Sequence, residues 1–335
     1  MEDTDLADGS RREPSLAGGP WCEPPRGGHP DARLAGRPGI EQLAAMIEGT
    51  TPLPPLSRLT GMRLVEFRPG AATFTMPLSG WLTGADGTIP LGPLTIPADA
   101  AMACAIITSL PEGISLTTSE LSLRQVRPAP PGGNLVARAR MLEPGPPVAL
   151  AEVTLTDGDG TLIAHGVSLC VTVPALTAPR APGDVRDAPD PGLSDQPDPW
   201  ERPLPVPADA GRSAPAPLSL LTGLRPLGAA RGEATFALPA TRWLCAPPPG
   251  RVQGGAVATL ADAAVTAAMS GERFVPVELK LNYLRPLASD DREARAHGRL
   301  IHEGRRIAVA SAEVVDADGR PVAVASGSAV AGSSE

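Results

Sequence analysis

Two glycines and an aspartate eight positions later form the stretch best suited to chemistry. Gly254-Gly255 precedes a run of Ala, Val, Leu and Thr that ends at Met269, and Asp262 is its only ionisable residue. Alanine strongly favours helix, so a helix is predicted to begin just after the glycine pair. The first backbone N–H groups of a helix have no intrahelical partner, and the helix dipole adds positive charge there. Such a position can stabilise negative charge that develops on a carbonyl oxygen.

The carboxylate of Asp262 is the second chemical element of this stretch. The helix is apolar on every side, so it is predicted to be surrounded by protein. A carboxylate there needs a polar partner or a shifted pKa. It could deprotonate a water molecule or attack a carbonyl carbon directly, and the residues do not separate these routes. For one helix alone, an aspartate facing a polar seam is an equally good interpretation.

The same pattern occurs twice in the chain. Ala98-Asp99-Ala100-Ala101 lies 163 residues before Ala261-Asp262-Ala263-Ala264. Other matched segments follow in the same order: Leu59-Thr60-Gly61 with Leu221-Thr222-Gly223, Ala72-Thr73-Phe74 with Ala234-Thr235-Phe236, Trp81 with Trp243, Glu120-Leu121 with Glu278-Leu279, and Ala151-Glu152-Val153 with Ala312-Glu313-Val314. Such self-similarity identifies an internal tandem duplication.

The duplication divides the chain of 335 residues into four parts. Residues 1–38 are rich in Gly, Pro and Arg and are predicted to be disordered. The first copy is expected over 39–176 and the second over 218–335. Residues 177–217, rich in Pro, Asp and Arg, are predicted to be a tether that packs on neither copy.

Each copy shows the same order of predicted elements. A strand that contains a phenylalanine is followed by a tryptophan-containing loop, the apolar helix and then four strands. The first strand after the helix of the second copy alternates in polarity, with the inward-facing set Val277, Leu279, Leu281 and Tyr283. Pro97 is expected to start or kink the first helix, which would place Asp99 in its first turn. Asp157 to Gly160 has the composition of a hairpin turn and lacks the further oxygen ligands of a calcium loop.

Composition excludes several classes of function. The net charge is −8 without a basic cluster, which argues against a nucleic-acid partner. No apolar run reaches about 18 residues, so no membrane span is predicted. The four cysteines show no metal-binding spacing, and neither a metal nor another cofactor is predicted. With no secretory signal at the start of the sequence, a cytoplasmic location with reduced thiols is the expectation.

The motifs of the second copy resemble those of the PaaI-like acyl-CoA thioesterases. The resemblance rests on the glycine pair, on Asp262 eight residues after Gly254, on the strand that ends in Arg285-Pro286 and on the turn Gly304-Arg305-Arg306. It implies an α+β protein made of two tandem hotdog domains, each an antiparallel sheet wrapped around a central helix. The two domains would form an intrachain pseudo-dimer, with further homo-oligomers possible, and the substrate would be an acyl-CoA.

In that family the glycine loop and the facing aspartate come from opposite protomers. Carried over to this chain, the resemblance implies one site that joins Gly254 and Gly255 to Asp99, with Thr118 at a Ser/Thr position and Ser119 beside it. A second site would join Gly92 to Asp262. There Leu91 replaces the first glycine and Pro276 replaces the Ser/Thr residue. A single active site at the interface of the two copies is therefore predicted.

The chain also departs from the family pattern. Gln253 stands where the family has a histidine; it can donate a hydrogen bond but cannot carry a proton. Pro247 replaces an asparagine and has no side-chain donor. Arg285, Arg305 and Arg306 could bind the phosphates of coenzyme A, or could equally be solvated strand ends and turns. Two functions therefore remain open: hydrolysis of an acyl-CoA thioester, or non-catalytic binding of an acyl ligand by a scaffold.

Overall fold

A computed structural model of the chain describes residues 16, 18–30, 32–174, 196–205, 215–269 and 273–332. The strands of the first copy are β1 (Arg63–Arg68), β2 (Ala71–Pro77), β3 (Ile114–Gln125), β4 (Asn134–Glu143), β5 (Val148–Thr156) and β6 (Leu162–Pro174). Those of the second copy are β7 (Arg225–Ala230), β8 (Glu233–Pro239), β9 (Phe274–Tyr283), β10 (Glu293–Glu303), β11 (Ile307–Val315) and β12 (Pro321–Ala331). The helices are α1 (Ala32–Ala35), α2 (Gly39–Ile47), α3 (Pro55–Thr60), α4 (Leu91–Ile107), α5 (Pro217–Thr222) and α6 (Gly254–Ala268).

The twelve strands form one antiparallel sheet whose halves mirror each other. The order is β1-β2-β4-β5-β6-β3 in the first copy, continued by β9-β12-β11-β10-β8-β7 in the second. The tandem hotdog fold, which the resemblance implied, is confirmed, and the sheets of the two copies form one continuous sheet. Strands β1 and β7 were not predicted; they lie at the two outer edges, where a strand pairs on one side only and its hydrophobic pattern is weak.

The two central helices, α4 and α6, carry the aspartates. Both are buried along almost their whole length, because their residues are small and apolar on every side and each helix is covered by its own half of the sheet. Helix α6 begins at Gly254, so the glycine pair forms its first turn rather than preceding it.

The expectation that Pro97 would start or kink α4 and place Asp99 in its first turn is wrong. The helix begins at Leu91, and Pro97 lies inside it. Pro93, in the first turn, needs no intrahelical N–H bond, and Pro97 removes a single bond from a helix that is packed on all sides. Asp99 is therefore in the third turn, eight residues after Leu91, as Asp262 is eight residues after Gly254.

The helices α4 and α6 touch each other through one glycine from each copy. A methyl carbon placed on Gly255 would lie 2.5 Å from Ile96 Cα, and one placed on Gly92 would lie 2.7 Å from Thr259 Cα. The two contacts involve corresponding positions of the two copies. The first turn of each helix therefore lies against the middle of the other, and this brings each helix start towards the aspartate of the opposite copy.

The two halves of the sheet join through β3 and β9, the strands that follow the helices. Leu121 pairs with Leu281 and Leu123 with Leu279, and all four are fully buried. On the polar face, Arg124 forms an ion pair of 3.1 Å with Glu278 across the junction. The junction therefore continues the core of both copies.

The described part of the predicted disordered tail is packed. Residues 20–22 form a short 3-10 helix against the second copy, where Trp243 donates from Nε1 to Glu23 O at 2.9 Å. Arg26 is buried and lies over the ring of Trp243. The expectation of disorder is thus wrong for residues 18–30, because Glu23 and Arg26 of this proline-rich stretch bind to Trp243 of the second copy. Residues 1–15, 17 and 31 lie outside the described residues.

The predicted tether also contains a packed segment. Residues 199–201 form a 3-10 helix, and Trp81 of the first copy donates from Nε1 to Arg202 O at 2.7 Å. The two packed segments, residues 18–30 and 196–205, also contact each other, and we call them together the clasp. Asp198 forms an ion pair of 3.5 Å with Arg26. The tether prediction is wrong for 196–205, and its parts 177–195 and 206–214 lie outside the described residues.

A repeated motif explains why the clasp is symmetric. Pro20-Trp21 and Pro199-Trp200 each have a proline three residues after the tryptophan. The first motif packs on the second copy and the second motif on the first copy, with Trp21 against Gly223 and Trp200 against Gly61. Both glycines end short helices in the left-handed conformation, where a side chain would be strained and would meet the tryptophan.

Among the helices within the described residues, none is long and apolar enough to cross a membrane.

Candidate active site

Asp99 lies at the meeting point of α4, β3 and the first turn of α6. Its side chain is buried, and its Oδ1 accepts a hydrogen bond of 3.0 Å from Thr118 on β3. Its Oδ2 accepts one of 2.8 Å from the side-chain amide of Gln253, the residue that precedes α6. The backbone N–H of Gly255 also donates to this carboxyl. The structure therefore brings together residues that are far apart in the sequence and belong to both copies.

Burial raises the pKa of Asp99 from its ordinary value to about 6, although the hydrogen bonds from Thr118 and Gly255 act in the opposite direction. Desolvation disfavours the charged carboxylate more strongly than these donors stabilise it. A carboxyl with this pKa is ionised at pH 7 and is a better proton acceptor than an ordinary aspartate. Such a group can serve as a general base near neutral pH.

Gln253 has two functions at the start of α6. Its Oε1 accepts a hydrogen bond of 3.2 Å from Ala256 N, which caps the helix, and its Nε2 donates to Asp99. Glutamine can do both because its amide carries a donor and an acceptor on one planar group. The replacement of the family's histidine therefore keeps a side-chain contact to the carboxyl but removes a group that titrates near neutral pH.

The glycine pair lets the start of α6 approach the carboxyl closely. A methyl carbon on Gly254 would lie 2.8 Å from Asp99 Oδ2, and one on Gly255 would lie 2.5 Å from Ile96 Cα. The first glycine therefore opens the face of the helix towards the carboxyl, and the second permits the contact between helices. Because Gly254 is the first residue of α6, its N–H has no intrahelical acceptor. A carbonyl oxygen could accept a hydrogen bond there.

Tyr283, which the sequence analysis treated only as an inward-facing strand residue, reaches the same place. Its hydroxyl donates a hydrogen bond of 2.8 Å to Gly254 O. Burial and the nearby Asp99 raise the pKa of Tyr283 well above its ordinary value, so the phenol stays protonated. A sequence signal existed: this is the only tyrosine of the chain, and the equivalent residue of the first copy is Gln125.

The second predicted site keeps only part of this arrangement. Asp262 is buried, its pKa is raised by burial to about 6, and its Oδ2 accepts a hydrogen bond of 2.8 Å from Gly92 N. Its other oxygen is 3.4 Å from Thr266 on the same helix. The residue equivalent to Gln253 is Pro90, which has no side-chain donor, and Pro276 stands at the position of Thr118. At both sites the aspartate of one copy therefore contacts the helix start of the other copy, but the neighbouring side chains differ.

The remaining predicted site residues are not gathered around either aspartate. The hydroxyl of Ser119 donates to Leu169 O at 3.0 Å, so it serves the strand pair β3–β6. Arg285 is exposed and follows the end of β9 that carries Tyr283. Arg305 and Arg306 are exposed near the other end of β9, where Arg306 O accepts from Ala331 N and Ala331 pairs with Phe274. The three arginines are therefore not one phosphate site.

Two cysteines lie near the carboxyl of Asp99. Burial, together with the charge of Asp99, raises the pKa values of the Cys104 and Cys170 thiols. Both thiols are therefore protonated near neutral pH and are poor nucleophiles. Within the described residues, no group of three or more His, Cys, Asp and Glu side chains could hold a metal ion. The chemistry available at this place is thus that of a carboxyl, a helix start and hydrogen-bond donors.

Comparison with protein families identifies the class. The thioesterase superfamily matches residues 96–164 and 249–323, one match in each copy. Both matches include the aspartate of the central helix and the strand that follows it. The resemblance to hotdog thioesterases drawn from the motifs is therefore confirmed: the chain is a tandem hotdog protein with a thioesterase-superfamily match in each half.

Solved structures of double hotdog proteins share the fold over most of the chain. The tesB protein of Mycobacterium avium subsp. paratuberculosis is 14% identical, with a TM-score of 0.53 over 88% of this chain and 100% of that one. A protein described as an oleoyl thioesterase from Lactobacillus plantarum is 12% identical, with a TM-score of 0.52 over 80% and 98%. The acyl-CoA thioesterase II TesB2 of Mycobacterium marinum is 10% identical, with a TM-score of 0.51 over 84% and 99%. A comparison with curated proteins finds no significant match.

Proposed function

We propose that the protein hydrolyses an acyl-CoA thioester to the free acid and coenzyme A, at one site between its two copies. The observation that carries the proposal is the position of Asp99, a buried carboxyl with a pKa of about 6 that faces the glycine start of α6 from the other copy. A general base and an oxyanion site are thereby held in one place by rigid elements. Thioester hydrolysis requires these two functions.

In the proposed reaction the thioester carbonyl oxygen lies at the first turn of α6, next to the N–H of Gly254. Water adds to the carbonyl carbon and gives its proton to Asp99, and the negative charge that forms on the carbonyl oxygen is stabilised by the N–H and the helix dipole. The carbon–sulfur bond then breaks, and the proton passes from Asp99 to the departing thiolate. In the alternative route Asp99 attacks the carbonyl carbon, coenzyme A leaves, and water hydrolyses the resulting anhydride.

Thr118 and Gln253 would keep the carboxyl in position in either route. Each donates to a different oxygen of Asp99, so the carboxyl plane is fixed relative to the helix start. Positioning of this kind lowers the entropic cost of reaching the transition state. Neither residue can accept a proton at neutral pH, so the proposal assigns proton transfer to Asp99 alone.

The second site, which contains Asp262, is proposed to be inactive. Asp262 lacks a donor equivalent to Gln253. The helix start that Asp262 faces has Leu91 at the position that Gly254 occupies in the proposed active site. Leu91 thus replaces the glycine that, at the proposed active site, lets the helix start approach the carboxyl closely. Arg285 is the candidate for binding a phosphate of coenzyme A at the active place, because it follows Tyr283 by two residues.

Release of free thiol from a panel of acyl-CoAs, followed with a thiol reagent, tests the proposal. The enzyme-only blank accounts for the four cysteines of the chain. We expect turnover of at least one acyl-CoA by the unmodified protein and its loss in Asp99→Asn. Saturable binding of an acyl-CoA without any release of thiol would favour the alternative, a non-catalytic acyl-ligand binder, in which Gln253 and Pro247 mark lost chemistry.

A further inference from the structure

The peptide group between Gly254 and Gly255 is held at both of its ends. Its carbonyl oxygen accepts the hydrogen bond of 2.8 Å from the hydroxyl of Tyr283. Its N–H, which belongs to Gly255, donates to Asp99. A peptide group is planar, so fixing its carbonyl oxygen also fixes the direction of its N–H. Tyr283 and Asp99 thus contact opposite ends of one rigid unit.

We propose that Tyr283 is a positioning residue of the active site, which orients the Gly254–Gly255 peptide so that its N–H points at Asp99. The proposal rests on the proposed function for its effect on turnover, but the orientation itself is a property of the protein without substrate. A glycine at this position increases the need for a hydrogen bond that orients the peptide group. Gly254 has the widest conformational freedom of any residue type, and the N–H groups of the first turn have no intrahelical acceptor.

Burial supports a specific role for the hydroxyl over a general packing role for the ring. Tyr283 is half-buried and closes the inward-facing set of β9, in which Leu279 and Leu281 are fully buried. A tyrosine hydroxyl in such surroundings needs a partner, and its partner here is Gly254 O. The raised pKa of Tyr283 keeps the hydroxyl a donor throughout the pH range in which Asp99 titrates.

The first copy of the duplication lacks this tyrosine. Gln125 stands at the equivalent position on β3, and Leu91 at that of Gly254. Leucine in the first turn of α4 restricts the backbone without help from a strand residue. The tyrosine therefore occurs together with the flexible glycine, in the copy that supplies the helix start of the proposed active site.

The charged and titratable groups near Tyr283 are few. Asp99 from α4, Cys170 from β6 and Glu120 from β3 act on its phenol. The thiol of Cys170 is protonated near neutral pH because burial raises its pKa. Glu120 lies 3.7 Å from Lys280, which offsets its charge. Ionisation of Asp99 is therefore the main electrostatic change expected at Tyr283 between about pH 5 and pH 7.

Removal of the hydroxyl in Tyr283→Phe is the direct test. We expect kcat to fall roughly tenfold, the effect of losing one net hydrogen bond, with KM within about twofold. Because the N–H of Gly255 would then donate less well to Asp99, the acidic limb of the pH profile should move to higher pH. Amide exchange at Gly255, measured by NMR without substrate, should become faster. Gln125→Leu is the matched control and should change none of these quantities.

The single tyrosine of the chain allows a second measurement that retains the hydroxyl. Global incorporation of 3-fluorotyrosine labels only this position. We expect its ¹⁹F resonance to titrate with a midpoint near pH 6 in the unmodified chain and to lose that transition in Asp99→Asn. This result does not depend on turnover, so it tests the positioning even if no acyl-CoA is hydrolysed.

Two results would overturn the proposal. Unchanged amide exchange at Gly255 in a folded Tyr283→Phe protein would show that the hydroxyl does not orient the peptide, and a fall of kcat in that case would assign the hydroxyl to substrate contact. A ¹⁹F resonance that does not respond to Asp99 would show that the two groups are not coupled. A melting curve of each variant establishes that the comparison is made between folded proteins.

Discussion

Gln253 and Asp99 form a hydrogen bond of 2.8 Å across the interface of the two copies, from the side-chain amide to Oδ2. The two residues are 154 positions apart in the sequence, and neither copy alone could make the contact. The same amide caps α6 through its oxygen. One side chain therefore links the start of one central helix to the carboxyl of the other.

Substitution of Gln253 by alanine should affect both of its contacts. Loss of the donor removes one group that stabilises ionised Asp99, so the midpoint of the acidic limb of kcat/KM should rise above about 6. We expect turnover to fall by about tenfold and the melting temperature to fall with the loss of the cap. The pH profile and the melting curve measure the two effects separately.

Gln253→His serves as the control for this prediction, because imidazole can also donate to Asp99. Turnover should stay within a few-fold of that of the unmodified protein above about pH 7, where histidine is mostly neutral. A Gln253→Ala protein with an unchanged acidic limb would contradict a role of the amide in tuning Asp99.

The two aspartates provide an internal comparison for the catalytic role. Asp99→Asn should lower turnover at least about a hundredfold, the usual scale for the loss of a positioned base. Asp262→Asn should leave turnover within a few-fold, since its surroundings lack donors equivalent to Thr118 and Gln253. Thiol release from acyl-CoA measures both. Loss of activity in Asp262→Asn with activity retained in Asp99→Asn would reverse the assignment, and equal losses would indicate two working sites or a shared structural role.

The route open to Asp99 can be tested in the same assay. A single turnover in ¹⁸O-labelled water should place the label directly in the released acid if Asp99 acts as general base. If Asp99 attacks the thioester and water then adds to the aspartyl carbonyl of the anhydride, the label should enter Asp99 instead. Mass spectrometry of the acid and of the peptide that contains Asp99 separates the two outcomes.

The duplication predicted two equivalent units, because two helix starts and two aspartates occur in one order, and the resemblance then implied the fold of each unit. The contact of Asp99 with Gly254 and Gly255 followed from the resemblance, and its catalytic role remains a prediction. Tyr283 escaped prediction because alternation on a strand shows which face a residue occupies but not which atom it contacts. The start of α4 was misplaced because proline statistics describe isolated helices, whereas Pro97 is held by packing on all sides.

The clasp was missed for a different reason. Low hydrophobicity and many prolines indicate disorder, but two Pro-Trp motifs carry enough apolar surface to pack on the opposite copies. The sequence contains four tryptophans, and two of them lie in these motifs.

Close contact between the central helices predicts a steric effect at Gly92. A methyl group there would lie 2.7 Å from Thr259 Cα and 3.0 Å from Asp262 Cβ, distances that require the helices to move apart. Gly92→Ala should therefore lower the free energy of unfolding by roughly 1–3 kcal/mol, despite the better helix propensity of alanine. Denaturant unfolding measures the loss.

Gly158→Ala is the matched control for Gly92→Ala. It lies in a turn where no atom is within 4 Å of the added carbon, and its backbone is not in the left-handed region. The substitution should change the free energy of unfolding by no more than about 0.5 kcal/mol. Equal effects of the two substitutions would show that the helices tolerate a larger separation than the structure indicates.

The clasp should contribute measurably to stability through Asp198. This buried carboxylate lies within ion-pair distance of Arg26, Arg58 and Arg63. Asp198→Asn should lower the free energy of unfolding by about 3 kcal/mol or more, because positive charge would remain partly buried without its counter-ion. Glu23→Gln weakens the more exposed pair with Arg202 and should cost less than about 1 kcal/mol. Similar small losses from both would show that residues 196–205 act as a loose tether after all.

The buried carboxyl of Asp262 should make stability depend on pH in a defined direction. Its pKa is about 6 in the folded protein and near its ordinary value of 3.8 in the unfolded chain. Below about pH 4 the group is protonated in both states. As the pH rises towards 6 the unfolded chain loses the proton first, so the folded state binds more protons and its stability falls. The full loss above the folded pKa is roughly 3 kcal/mol.

Asp262→Asn should remove this dependence, because the amide is neutral at every pH and its oxygen can still accept from Gly92 N. Asp99 contributes an equal slope in both proteins, so the difference between them isolates Asp262. At pH 8 the variant should be the more stable protein, and the advantage should shrink and disappear as the pH is lowered to about 4. Thermal melting at pH 4.5, 6 and 8 measures the trend. An advantage that is constant across the three values would mean that burial does not raise the pKa of Asp262, and a growing advantage at low pH would reverse the sign of the argument.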